Sequence, residues 1–276
     1  MEKFLALNMN RLIGLLFVII ALGCKKEIET SQPTPIKLLA ILAHPDDESA
    51  MGQVLSRYAR EGNKVYLVIA ADGRNGVEEH AGIPAGDSLA AIRKTETLCA
   101  CKILGIEKPI FLGAYDSFGI STSFEEYFRQ TTELKEKVAE QIERIQPNVI
   151  LTFGPDGDTG HLDHKGIGDL VTEVILRSEG WQEKYPLYYL AWPKEKKFWM
   201  PQGEMTHLNY VHESYRNTAI TYTKEDQDAF FKSLSCYKSQ YTPEDIEKWI
   251  EAEKLDTTFT TYFREFVIAD KRKQSF

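Results

Sequence analysis

The feature that most constrains this chain is a series of short apolar runs without polar alternation, each followed by a stretch of helical periodicity. KLLAILA (37–43), KVYLVIAAD (64–72), PIFLGAYD (109–116), NVILTFG (148–154) and PLYYLAW (186–192) are the runs. Helical patterns lie between them over Glu48 to Arg60, Asp87 to Leu104, Phe124 to Ile145 and after His161. A strand with one wet face alternates; a strand covered on both faces does not. The order therefore predicts a mostly parallel sheet with helices on both sides, a three-layer α/β/α sandwich. The last third has weaker alternation over Trp199 to Tyr222, then helical patterns over Lys224 to Ser239 and Pro243 to Ala252, the second with Thr242 as its N-cap. It is expected to add antiparallel edge strands and helices to a Rossmann-like body.

The N-terminus stands outside this pattern. IGLLFVIIALG (13–23) is apolar throughout, follows Lys3 and Arg11, and ends at Cys24. It is short for a membrane span and suits the apolar core of a secretory signal. Ala21-Leu22-Gly23-Cys24 resembles a bacterial lipobox with Ala21 where leucine is preferred, and Met9 is an alternative start. The expectation is a signal peptide over 1–23, lipidation of Cys24, a flexible tether over 24–36 carrying Pro33 and Pro35, and one domain over 37–276. An exported lipoprotein, anchored on the periplasmic face or cell surface, follows from that.

Removing 1–23 takes away Glu2, Lys3 and Arg11 and moves the net charge from −8 to −9. That sign argues against nucleic acid as a partner. With Cys24 assigned to lipid, Cys99, Cys101 and Cys236 remain, an odd number without metal-type spacing. Cys99 and Cys101 lie in an apolar helical stretch and read as packing, so no disulfide framework is expected.

Ligands of a parallel α/β sheet gather at the carboxyl ends of its strands. Two polar clusters fall there. The first run ends in His44-Pro45-Asp46-Asp47-Glu48; the fourth leads through GPDGDTG to His161-Leu162-Asp163-His164. His44 and Asp47 are three apart across a turn, and His161 and His164 share that spacing on a helix face. Two histidines and a carboxylate with an open position are a ligand set for a hydrolytic zinc ion. Asp46, next to a ligand but aimed elsewhere, suits a general base, and Asp163 suits holding a ring nitrogen of a neighbouring histidine. HPDDE in place of G-x-G-x-x-G argues against a dinucleotide.

These motifs identify the chain as similar to the LmbE-like or PIG-L deacetylases, zinc-dependent enzymes that remove an acetyl group from N-acetylglucosaminyl compounds. The similarity extends over about 37–240 through Asp72-Gly73-Arg74-Asn75-Gly76, Arg93 and Glu96, Leu104-Gly105, Phe111-Leu112-Gly113, Asp116-Ser117, Lys232 with Leu234, and Ser239-Gln240. The resemblance implies His44, Asp47 and His164 as Zn2+ ligands, Asp46 as base, and His161 as the group that stabilises the oxyanion or protonates the departing amine. It implies Arg74 and Asp116 as contacts to the sugar or its linked group, and an N-acetylated sugar or glycoconjugate as substrate. Thr159 stands where some relatives have a mobile tyrosine, and Tyr237 where histidine is common, so thiol-cofactor substrates do not carry over. Trp192, Trp199, Tyr210, Tyr215 and Tyr222 offer a sugar-stacking wall or ordinary packing. Two other readings remain: a zinc amidase acting on another N-acyl or S-conjugate bond, and a carbohydrate-binding lipoprotein without catalysis.

Overall fold

The computed structural model describes residues 34–198 and 208–268. The signal peptide, most of the tether, Cys24 and Trp199 lie outside the described residues. Five parallel strands, β1 (Lys37–Leu42), β2 (Lys64–Ala71), β3 (Ile110–Ala114), β4 (Val149–Thr152) and β5 (Leu187–Leu190), form the sheet expected from the apolar runs. Two antiparallel strands, β6 (Thr218–Thr221) and β7 (Thr260–Glu265), extend it, giving the order β3-β2-β1-β4-β5-β7-β6. β6 is an edge strand in the region expected to supply one. β7 was not anticipated: TTYFRE carries polar residues, and only pairing of Leu190 with Phe263 and of Ile220 with Thr261 places it between β5 and β6.

Crossover helices cover both faces: α1 (Gly52–Arg60), α2 (Asp87–Leu104), α3 (Phe124–Ile145) and α4 (Leu162–Leu176). A short α5 (Trp181–Lys184) precedes β5, and α6 (Lys224–Leu234) and α7 (Pro243–Lys254) follow the strands. The 22-residue α3 buries Leu134, Val138, Ile142 and Ile145, a stripe at helical spacing against the sheet. Gly105 ends α2 in the left-handed region at φ 75°, as a C-terminal glycine does. Thr242 caps α7 reciprocally with Asp245, with Pro243 in its first turn. At Gly168 a Cβ would stand 2.2 Å from the Phe153 carbonyl oxygen, so only glycine lets α4 lie this close to β4.

The expectation of no disulfide is overturned. Cys99 on α2 is bonded to Cys236 just after α6, with a Cα–Cα separation of 5.8 Å, while Cys101 is a buried free thiol. Residues 137 apart cannot be paired from spacing alone; docking of α6 on α2 brings them together.

Candidate active site

β1 and β4 are neighbours whose chains leave the sheet in opposite directions, since β2 and β3 lie beyond β1 while β5 lies beyond β4. That is the topological switch point, where the loops part and leave a crevice. Both polar motifs sit there. A cavity of about 440 Å³ opens over them, lined by His44, Asp46, Asp47, Asp116, His161, Asp163 and His164 among others.

After β1 the chain turns sharply, with Asp46 in the left-handed region at φ 92°. A 3-10 turn over Asp47–Met51 follows, so the expected helix from Glu48 begins as a tighter turn before α1. Asp47 Oδ2 accepts the backbone N–H of Ala43 at 2.9 Å and of His44 at 2.7 Å. The other oxygen, Oδ1, lies 3.0 Å from His164 Nε2, and His44 Nδ1 is 3.8 Å from the carboxylate. His44 Nε2 is taken by Asp163 Oδ2 at 2.8 Å, which also accepts Ser117 N–H at 2.7 Å. A carboxylate on the far nitrogen fixes ring orientation and leaves Nδ1 for a ligand.

His161 is the N-cap of α4, its Nδ1 accepting the Asp163 N–H at 3.1 Å. In its neutral form the proton is therefore on Nε2, which is left as a donor. Ring nitrogens of His44, His161 and His164 lie within 4.8 Å of one another, a cluster able to hold a metal ion. The Asp47 carboxylate lies beside this cluster, with Oδ1 3.0 Å from His164 Nε2 and Oδ2 3.8 Å from His44 Nδ1.

Charge favours a cation here. Burial alone would lower both histidines, but Asp163 and Asp47 raise His44 to about 9, and Asp47 and Asp158 raise His164 to about 10. Asp47 is held well below the usual carboxylate range because His164 and His44 outweigh its burial. A site that draws extra protons onto two histidines is one whose carboxylates a divalent cation would satisfy instead. His161 behaves oppositely: burial, then His44 and His164, push it below its ordinary value.

Asp46 has its own anchors. Its Oδ2 accepts from Arg93 Nη2 at 2.9 Å and Tyr241 Oη at 3.2 Å, while burial raises its pKa against the pull of Arg93. Arg93 also donates to the Pro45 carbonyl at 2.6 Å and the Gly73 carbonyl at 3.2 Å, tying Asp46 to the loop after β2. Arg93 and Tyr241 were not assigned to the site from sequence. A signal existed: Arg93 and Glu96 occupy the buried face of α2, where an apolar stripe belongs. Glu96 accepts from Ser239 N at 2.8 Å and Oγ at 2.6 Å, which seats the segment carrying Tyr241.

The remaining candidates fall unevenly. Asp116 is buried at the cavity and accepts Gly73 N at 2.8 Å and Asn75 N at 2.7 Å, so it shapes the loop after β2. Arg74 is not among the cavity-lining residues; it pairs with Asp72 at 2.7 Å and lies over the Tyr115 ring at 3.9 Å. Thr159 lines the cavity, and Tyr237 donates to buried Glu48, whose carboxyl burial pushes up to about 8. Of the five aromatics named from sequence, Trp192 reaches the cavity, Tyr210 and Tyr215 are largely exposed, and Tyr222 is buried.

A switch-point crevice holding clustered histidines and carboxylates defines the chain as an α/β protein whose pocket could hold a metal ion. The PIG-L family signature, GlcNAc-PI de-N-acetylase, matches residues 39–175, which contain every one of these histidines, and the chain carries a PIG-L (LmbE-like) family deacetylase domain. The 1D-myo-inositol 2-acetamido-2-deoxy-alpha-D-glucopyranoside deacetylase of Nakamurella multipartita is 34% identical over 161 residues, 51% of this chain and 55% of that protein. The chain thus spans little more than half the length of that curated relative. Two solved structures share the fold. N,N'-diacetylchitobiose deacetylase from Pyrococcus horikoshii has a TM-score of 0.58 and 21% identity over 84% of each chain. The A40926 pseudoaglycone deacetylase has a TM-score of 0.63 and 17% identity over 86% of this chain and 99% of that one.

Proposed function

We propose that this protein is a zinc-dependent deacetylase that hydrolyses the acetamide of an N-acetylglucosaminyl-type saccharide. The observation that carries the reading is the Asp47 carboxylate set between His164 Nε2 and His44 Nδ1, beside a second carboxylate, Asp46, that is separately anchored by Arg93. His44, Asp47 and His164 would hold the ion, which when bound supplies Lewis acidity and an acidified water. Asp46 takes the proton of the attacking water on Oδ1, while Arg93 and Tyr241 hold Oδ2 and so orient the carboxylate. His161 offers Nε2–H to the developing oxyanion, and the proton that Asp46 has taken from water passes to the departing amine as the C–N bond breaks, releasing acetate. Asp163 keeps both rings in register, through its carboxylate to His44 and its backbone N–H to His161.

The protein is proposed to act outside the cytoplasm as a lipoprotein anchored through Cys24. The apolar 13–23 segment supports this, and so does the Cys99–Cys236 disulfide, since such bonds persist in oxidising compartments. Among the described residues no helix is long and apolar enough to cross a membrane. The test measures bound zinc and acetate release from N-acetylglucosaminyl glycosides. Zinc at one per chain with acetate release is expected; metal-free protein without turnover across the panel refutes the reading. Cys24→Ala is expected to move the protein from the membrane to the soluble fraction, and an unchanged distribution refutes the anchor.

A further inference from the structure

The cavity has further lining, beyond the histidine cluster, that the hydrolytic step does not use. Lys196, Glu253 and Gln53 are all more than nine-tenths buried yet line the cavity. Lys196 Nζ lies 2.9 Å from Glu253 Oε2 and 3.3 Å from Asp256 Oδ2, and Gln53 Nε2 donates to Glu253 Oε2 at 3.4 Å. This is a fixed row of donors and acceptors. Two half-buried indoles lie along it. Trp192 donates Nε1–H to Asp158 Oδ1, and its ring centre is 5.7 Å from Lys196 Nζ. Trp249 meets Tyr241 edge-on at 5.5 Å, and Tyr241 in turn holds Asp46. Both indoles are therefore coupled to the catalytic centre, and each keeps part of its surface on the cavity.

A polar row beside amphipathic aromatic surfaces matches a pyranose ring, whose hydroxyls need fixed partners and whose C–H faces prefer apolar contact. Charge narrows the class further. Among the described residues lining the cavity, seven are carboxylates and two are fixed cations, Arg93 and Lys196, both engaged in ion pairs. A divalent cation at the histidines still leaves the balance negative. A phosphate or carboxylate on the substrate would meet repulsion without a cation to receive it.

We propose that this lining is a subsite for a second, uncharged sugar unit, held by Trp192 and Trp249 along the Gln53–Glu253–Lys196 row, and that the cavity discriminates against anionic aglycones. The proposal rests on the deacetylase reading of the histidine cluster, which places the acetylated ring at that cluster.

Titration calorimetry on the zinc-loaded protein tests the subsite without requiring turnover. N,N'-diacetylchitobiose is expected to bind about tenfold or more tightly than methyl N-acetylglucosaminide, and N-acetylglucosamine 1-phosphate about tenfold more weakly than the methyl glycoside. Trp249→Leu and Trp192→Phe are expected to shrink the disaccharide advantage by about fivefold or more relative to the monosaccharide. The comparison of ligands on the unaltered protein holds even if a variant folds poorly. Equal affinity for one and two rings, phosphate binding as tight as the neutral glycoside, or variants that weaken both neutral ligands alike overturns the proposal. A disaccharide advantage without acetate release upholds the subsite and refutes the deacetylase reading; acetate release without that advantage does the reverse.

Discussion

Removing the Cys99–Cys236 bond is expected to cost this protein much of its stability while leaving its chemistry in place. The bond joins α2 to the segment after α6 and closes a loop of 137 residues. In the chain-entropy description, a crosslink of that span removes about 5 kcal/mol of freedom from the unfolded ensemble, near the upper end of what disulfides deliver. For a domain of this size, that corresponds to a fall in Tm of roughly 10–20 °C. The segment that carries Tyr241 has other anchors. Ser239 stays bonded to Glu96 and Tyr237 to Glu48, so Tyr241 keeps its place against Asp46. A Cys99→Ala, Cys236→Ala double variant, followed by circular dichroism on heating and by urea titration, should show the full loss. Dithiothreitol should lower the Tm of the parent and leave the double variant unmoved. Activity at 25 °C should remain close to the parent's. A double variant within about 0.5 kcal/mol of the parent would refute the argument, because a loop of this length cannot be free of entropy cost if the bond forms.

Asp46→Asn should lower kcat by about 10²–10⁴-fold while bound zinc, read by elemental analysis, is unchanged; loss of the metal would place Asp46 among its ligands instead. Asp163→Asn weakens the acceptor for His44 Nε2 at 2.8 Å and should reduce zinc affinity by about 10–100-fold in a chelator competition, with unchanged affinity counting against the orienting role. Asp226, buried between α6 and α1, is held below the usual carboxylate range because Arg60 and the Thr223 cap outweigh its burial. Its contribution to stability is present above the unfolded value near 3.9 and is lost as the pH falls through the lower folded value. Asp226→Asn should therefore flatten the acid limb of a stability-versus-pH curve measured by urea unfolding, and an identical limb would show that the pair is inert.

Much of this protein was legible in the chain because its signals are local. Strands covered on both faces show as KLLAIL and KVYLVIAA, helices end where Gly105 can turn left-handed, and both histidine motifs directly follow strands. The rule that ligands gather at strand ends then brings His44 and His164 together before any coordinate is known. What the chain could not show depends on partners distant in sequence. Arg93 reaches Asp46 from 47 residues away and Tyr241 from 195, and neither carries a motif that declares it. Arg74, promising as a loop arginine, is neutralised by Asp72 two residues before it and Asp87 thirteen residues after it. β7 is a strand because β5 and β6 leave a gap to fill, and Cys99 meets Cys236 because α6 docks on α2. The sequence by itself determined the layers and the position of both histidine motifs at strand ends, since periodicity and strand-end position are properties of short segments. The tertiary structure alone decided which side chains hold Asp46, which cysteines pair and which indoles face the cavity, since burial and contact are settled only when distant segments pack.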